Sequence, residues 1–209
     1  MTQKPEIFPD HFFQIIDSGW FEDDGGIEFV SFEYTEDSIT IEFILHSGDE
    51  EIVNQSWQLQ VGNLKAHKIV PVFTSVISFH DDHFLLWEFT DRQTSLYFTD
   101  KAENPDKLLA DIFRFHCQYF DTYIEIDRYV NNCMDFSSLC HSDLGLFATG
   151  PKQILTGYYT CLTNHNMNPY FQSDYEPAYT DSTKPLGVLI LGESYFIGQD
   201  FILKQTSKL

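Results

Sequence analysis

The densest group of residues that could do chemistry is His80-Asp81-Asp82-His83. Imidazole nitrogens and carboxylate oxygens are the usual ligands of zinc and of non-haem iron. The tetrapeptide falls in a turn ahead of an apolar run. Where such a segment is extended, neighbouring side chains point to opposite faces. A third ligand, His46 or His116, would have to come from elsewhere in the chain. The reading is a solvated turn, with no metal and no other cofactor expected.

Gly192-Glu193-Ser194-Tyr195-Phe196 falls one residue short of the G-x-S-x-G nucleophile elbow, because Phe196 stands where the last glycine belongs. The elbow also needs a sharp strand-to-helix turn, and here a strand is expected to follow. Cys140-His141 sets a thiol beside a base, but adjacent side chains seldom face each other. No catalytic residue is assigned. The chain contains no G-x-x-x-x-G-K-[ST], G-x-G-x-x-G or H-E-x-x-H, so the phosphate-binding and metalloprotease signatures are missing.

Two stretches have the chemistry of binding. The acidic turns Glu22, Asp23 and Asp24, then Glu36 and Asp37, then Asp49, Glu50 and Glu51 could face a cationic partner. The other stretch runs from 166 to 185. It carries Tyr170, Phe171, Tyr175 and Tyr179 among small polar residues, and tyrosine supplies amphipathic contact area at low entropy cost. Read as one long loop with Pro169, Pro177 and Pro185, it is either functional or disordered.

Charge narrows the partners further. The 209 residues carry a formal net charge of −20. Residues 1–64 hold fourteen Asp and Glu against one cation, Lys4. Such a field repels nucleic acid and anionic membranes and attracts basic proteins. There is no basic patch with interleaved aromatics, which argues against direct nucleic-acid binding. No apolar run approaches the roughly 20 residues that span a bilayer, and Met1–Asp17 does not read as a secretory signal. A cytoplasmic protein is expected. Cys117, Cys133, Cys140 and Cys161 lack C-x-x-C spacing and read as reduced thiols.

The elements that would position these groups follow from periodicity. A 43% hydrophobic, 16% aromatic composition with 20 Phe favours a β-rich or α+β protein. Ile39, Ile41, Phe43 and Leu45 alternate with Thr40 and Glu42, predicting an amphipathic strand. Strands are also expected over Ile27–Tyr34, around Trp57–Val61, at Ile69–Phe73 as an edge on account of Pro71, and at Val76–Phe79. Phe84–Phe89 and Leu96–Thr99 read as a hairpin joined by Asp91–Gln93. A short helix capped by Asp10 is expected over Asp10–Ile16, and a helical turn capped by Asp135 over Asp135–His141. The clearest helix runs from Asn104, a good N-cap, through Pro105 at the first helical position, to Phe120. Its apolar face is read as Leu109, Ile112, Phe113, His116 and Phe120. Gly145 and Gly150 read as bracketing a loop, a second helix over 151–165 follows, and Leu186–Leu191 and Tyr195–Leu203 close the chain as strands.

The expectation is therefore an α+β fold in a single domain, 1–209. An antiparallel meander of about six strands makes an acidic half, 1–103. A mixed half, 104–209, carries the helices and a small C-terminal β element. The function expected is a non-catalytic binding protein that neutralises a basic protein partner, most concretely a bacterial immunity protein against a cationic toxin. The alternatives are a hydrolase or metal-dependent enzyme built from scattered His, Asp and Cys, and an acidic nucleic-acid mimic.

Overall fold

The alternation at Ile39–His46 becomes the second strand of a four-stranded antiparallel sheet in a computed structural model that describes residues 4–49, 51–179 and 184–208. The first elements are α1 (Asp10–Ile16), α2 (Gly19–Asp23), β1 (Gly26–Tyr34), β2 (Ile39–His46), β3 (Gln55–Gly62), β4 (Ala66–Lys68), β5 (Ile77–His80), α3 (Trp87–Thr90) and β6 (Gln93–Thr99). Then come α4 (Pro105–Phe120), α5 (Phe136–His141), β7 (Leu144–Pro151), α6 (Lys152–Asn164), β8 (Asn168–Tyr175), β9 (Gly187–Leu191), β10 (Ser194–Gly198) and β11 (Asp200–Lys208). All strand pairs are antiparallel, so the fold is α+β as expected. Contacts divide the chain into two compact units, Met1–His83 with Ser182–Leu209, and Phe84–Asp181.

In the first unit the sheet order is β1-β2-β3-β11. Ile39, Ile41, Phe43 and Leu45 point inward and are buried, opposite Val61, Leu59, Trp57 and Gln55 of β3. The helix α1 lays Phe12 and Ile15 on this face, with the Phe12 ring 4.8 Å from Trp57. A second sheet, β4-β10-β9-β5, adds Leu189, Leu191 and Phe196 to the same core. Each such side chain contributes about 1.5–3 kcal/mol by leaving water. The meander is real but shorter than expected. It has three consecutive strands, and its fourth is the C-terminal β11, while β4 and β5 belong to the second sheet.

Several expectations are corrected here. The helix α1 is preceded by Pro9 at the N-cap, and Asp10 lies in its first turn, paired with Lys4 instead of capping. The run Ile69–Phe73 forms no strand. Val70 is held by Ser194, whose hydroxyl accepts from Val70 N–H at 2.8 Å and donates to Val70 C=O at 3.0 Å. The closing run Tyr195–Leu203 breaks at Gln199 and feeds two different sheets.

The second unit has the sheet β7-β6-β8 with α4 and α6 packed together. Thr94, Leu96 and Phe98 of β6 face inward. Asn104 caps α4 as read, its side-chain oxygen accepting from Lys107 N–H at 3.0 Å, and Asp135 caps α5 in the same way through Ser138 N–H. The expected hairpin is wrong at its first arm. Phe84–Leu86 is a single 3-10 turn that continues into α3. Leu85 and Leu86 are buried, and Thr90 Oγ1 donates to Leu86 C=O at 3.0 Å. A short apolar run of this kind fits a strand or a helical turn equally well, and the helical turn is the one that buries Leu85 and Leu86. The strand β6 instead pairs with β7 and β8 on either side.

The face of α4 is also corrected. Leu108, Ile112, His116 and Phe120 are buried, whereas Phe113 is 53% exposed. Gly145 and Gly150 do not bracket a loop but lie within β7. A Cβ at Gly150 would fall 2.5 Å from the Tyr129 ring, so glycine is what admits that ring. Within 166–185, residues 168–175 form β8, so the long loop is in part a strand. Residues 180–183 of that stretch lie outside the described ones.

Candidate binding face

Strand register decides which acidic turns meet. Gly26 opposes His46, and Tyr34 opposes Ile39. The segment before β1 and the β2–β3 turn therefore share one end of the sheet, and the β1–β2 turn occupies the other. At the first end the Gly25 N–H donates to Trp20 C=O at 3.1 Å. Gly48, at φ +79, comes so close to Trp20 C=O that a Cβ there would lie 2.2 Å from it. Glu22, Asp23 and Asp24 are thus gathered with Asp49 and Glu51. Glu50 lies outside the described residues. Glu36 and Asp37 are at the opposite end, separated by the length of β2, roughly 25 Å at 3.4 Å per residue. The expected acidic set divides into one cluster and one remote pair.

The β2–β3 turn is fixed by its own hydrogen bonds. Ser47 Oγ accepts from Asp49 N–H and lies within hydrogen-bonding distance of Asp49 C=O and Ile52 C=O. Asp49 Oδ1 accepts from Glu51 N–H at 2.9 Å. His46 joins this turn to the sheet, since Asn54 Nδ2 donates to its Nδ1 at 3.0 Å. That leaves Nε2–H to donate to Glu28 Oε2 at 2.9 Å.

The same end carries apolar side chains in water. Trp20 is 60% exposed, Val53 56% and Phe73 58%, and Ile52 is exposed too. The Phe73 ring covers Gly26 and lies 5.7 Å from the His46 ring. Apolar groups ringed by charge are the make-up of a protein-binding surface. Sequence reasoning missed Trp20 and Phe73, because an apolar residue at an element's end carries no mark of exposure.

In the second unit, Tyr97 and Tyr170 oppose each other on β6 and β8 and stack with centroids 5.7 Å apart. Phe171 turns the other way. It stacks on Tyr159 at 5.3 Å with the Lys152 ammonium 5.6 Å from its ring, and is a packing residue. Tyr175 is exposed at the end of β8, and Tyr179 donates its N–H to Phe89 C=O. Of the four aromatics assigned to binding, Tyr170 and Tyr175 present open surface.

The catalytic candidates are placed as follows. His80 and His83 stack at 5.2 Å, and His80 Nε2 is 3.0 Å from Ser78 Oγ. Burial, reinforced by repulsion from His80, pushes His83 down to about 4. Among the described residues no group of three or more His, Cys, Asp or Glu could hold a metal ion. Ser194 is fully buried, with its hydroxyl occupied by Val70. Burial pushes the Cys140 thiol up to about 12, and His141 Nδ1 is engaged by Ser137 C=O. Asp111, Cys161 and His165 come together: His165 Nε2 is 3.0 Å from Asp111 Oδ2, and Cys161 is one helical turn before His165. Burial and the Asp111 charge push the Cys161 thiol up, opposite to what a nucleophilic thiolate needs. An open groove of about 620 Å³ in the first unit brings Lys4 and Lys184 together with Glu6, Asp81 and Asp200, and among the described residues no His, Cys or Ser lines it.

No helix among the described residues is long and apolar enough to cross a membrane. No family model, no curated protein and no solved structure matches the chain.

Proposed function

We propose that this chain is a non-catalytic binding protein that captures a basic protein partner at the acidic end of the β1-β2-β3-β11 sheet. The most concrete case is a bacterial immunity protein that masks a cationic toxin. The observation that supports this reading is the gathering of Glu22, Asp23, Asp24, Asp49 and Glu51 at one end of a sheet, in a stretch, residues 5–64, that contains no Lys or Arg. Register brings Lys208 of β11 opposite Gln55 at this same end; the five gathered carboxylates outnumber it and focus a field that speeds encounter with a cation. The perturbed thiols weigh against an acyl-transfer enzyme at Cys140 or Cys161, since both are pushed up.

The test is chemical cross-linking of the tagged chain in its source cells, followed by identification of the trapped protein and titration of the purified pair with salt. A basic partner whose affinity falls steeply between about 50 and about 500 mM salt supports the reading. An acidic partner, or a salt-independent complex, refutes it.

A further inference from the structure

Charge alone does not account for the acidic end. Trp20 and Phe73 are both more than half exposed there, with Ile52 and Val53 beside them on the β2–β3 turn. The positions are fixed by backbone. Trp20 C=O is held by Gly25 N–H and crowds Gly48, and the Phe73 ring covers Gly26. Trp20, Ile52 and Val53 therefore belong to the segments that carry the five carboxylates, and the Phe73 ring lies at the same end of the sheet. Leaving a tryptophan and a phenylalanine in water forgoes the largest burial available to single side chains. Aromatic anchors inside a charged rim are where binding energy concentrates.

Resting on the reading above, we propose that Trp20, Ile52, Val53 and Phe73 are the anchor of the docking surface, and that the partner's docking element is a protein segment with apolar residues at its centre flanked by Lys or Arg. Charge complementarity selects this occupant. A second copy of the chain would bring carboxylates against carboxylates, and a purely polar cation would leave the aromatics wet. The carboxylates set the rate of encounter and the apolar anchor sets how long the complex lasts.

Two synthetic peptides of equal length and charge serve as probes, one an amphipathic Lys/Leu helix and one a Lys/Ser chain. Each is titrated into the full chain while tryptophan emission is followed. Trp57 is buried and Trp87 half-buried, so a blue shift on binding should come from Trp20 and vanish in Trp20→Phe. The Lys/Leu peptide is expected to bind about tenfold or more tighter than the Lys/Ser peptide. Phe73→Ser and, separately, Val53→Ser should erase most of that difference while leaving the Lys/Ser affinity unchanged. Both positions are exposed, and circular dichroism verifies that the variants fold. Equal binding of the two peptides, unaltered by either variant, overturns the anchor while leaving the basic-partner reading intact. Loss of Lys/Leu binding in Tyr170→Ser but not in Phe73→Ser also overturns it, by moving the docking to β8. If neither peptide binds, the anchor and the basic-partner reading fall together.

Discussion

Replacing Tyr158 by Phe removes one oxygen from the most completely buried polar contact of the second unit. Tyr158 is 0% exposed and His116 3%. The His116 Nε2 lies 2.7 Å from Ile124 C=O, which can only accept, so this nitrogen carries the proton. The bare Nδ1 then accepts from Tyr158 O–H, also at 2.7 Å. Tyr158→Phe keeps the ring contacts with Phe115 and Phe147 and leaves Nδ1 buried without a donor. Such a loss costs about 1–3 kcal/mol, or roughly 2–4 °C of Tm per kcal/mol in a chain of this size. Tyr119→Phe, at a 63% exposed site on α4, the helix that carries His116, is the control and should stay within about 0.5 kcal/mol of the parent. Urea unfolding followed by far-UV circular dichroism measures both. If Tyr158→Phe is as stable as Tyr119→Phe, the hydrogen-bonding scheme is wrong.

Three further outcomes follow from the same geometry. Ile112→Ala should cost about 2–5 kcal/mol while Phe113→Ala costs little, and equal losses by urea unfolding would contradict the face assigned to α4. Burial holds His83 at about 4 against an ordinary 6.5, so the unfolded chain binds the extra proton between these values. Stability from this group is thus complete above 6.5 and is lost as pH falls towards 4. His83→Asn should flatten the urea-midpoint profile in that window relative to the parent, and an unchanged slope would refute the assignment. Gly48→Ala should destabilise by about 1 kcal/mol or more, from the positive φ and the contact with Trp20 C=O. It should also weaken capture of a basic partner by parting the acidic turn from α2, and binding kinetics at parental strength would show that the two segments need not meet.

Much of the fold was legible because local physics and tertiary structure agree at the relevant residues. Ile39–Leu45 alternate and are buried in alternation. Asn104-Pro105 and Asp135 place helix starts that packing then keeps. Legibility ends where a short apolar run fits two periods. Phe84–Phe89 satisfies a strand or a helical turn, and only the Thr90–Leu86 bond and the burial of Leu85 and Leu86 decide. On α4, Leu108 and Leu109 are both apolar, so the face depends on what the helix packs against. Pro169 argued against a strand, yet β8 is an edge and tolerates its missing N–H. The acidic turns were plain in the sequence, but their division between two ends of a sheet is a matter of register, which one strand's pattern does not specify.

The central claim is tested most directly by the association rate of the cross-linked partner with three forms of the chain, measured over a range of ionic strength. In one form Glu22, Asp23, Asp24, Asp49 and Glu51 become their amides. In a second, only Glu36 and Asp37 do, at the far end of the sheet, and the third is the parent. The account predicts that the first loses about tenfold or more in on-rate at low salt, with a flattened salt dependence, while the second keeps the parent's rate. Equal losses in the two variants, or none in either, would contradict it.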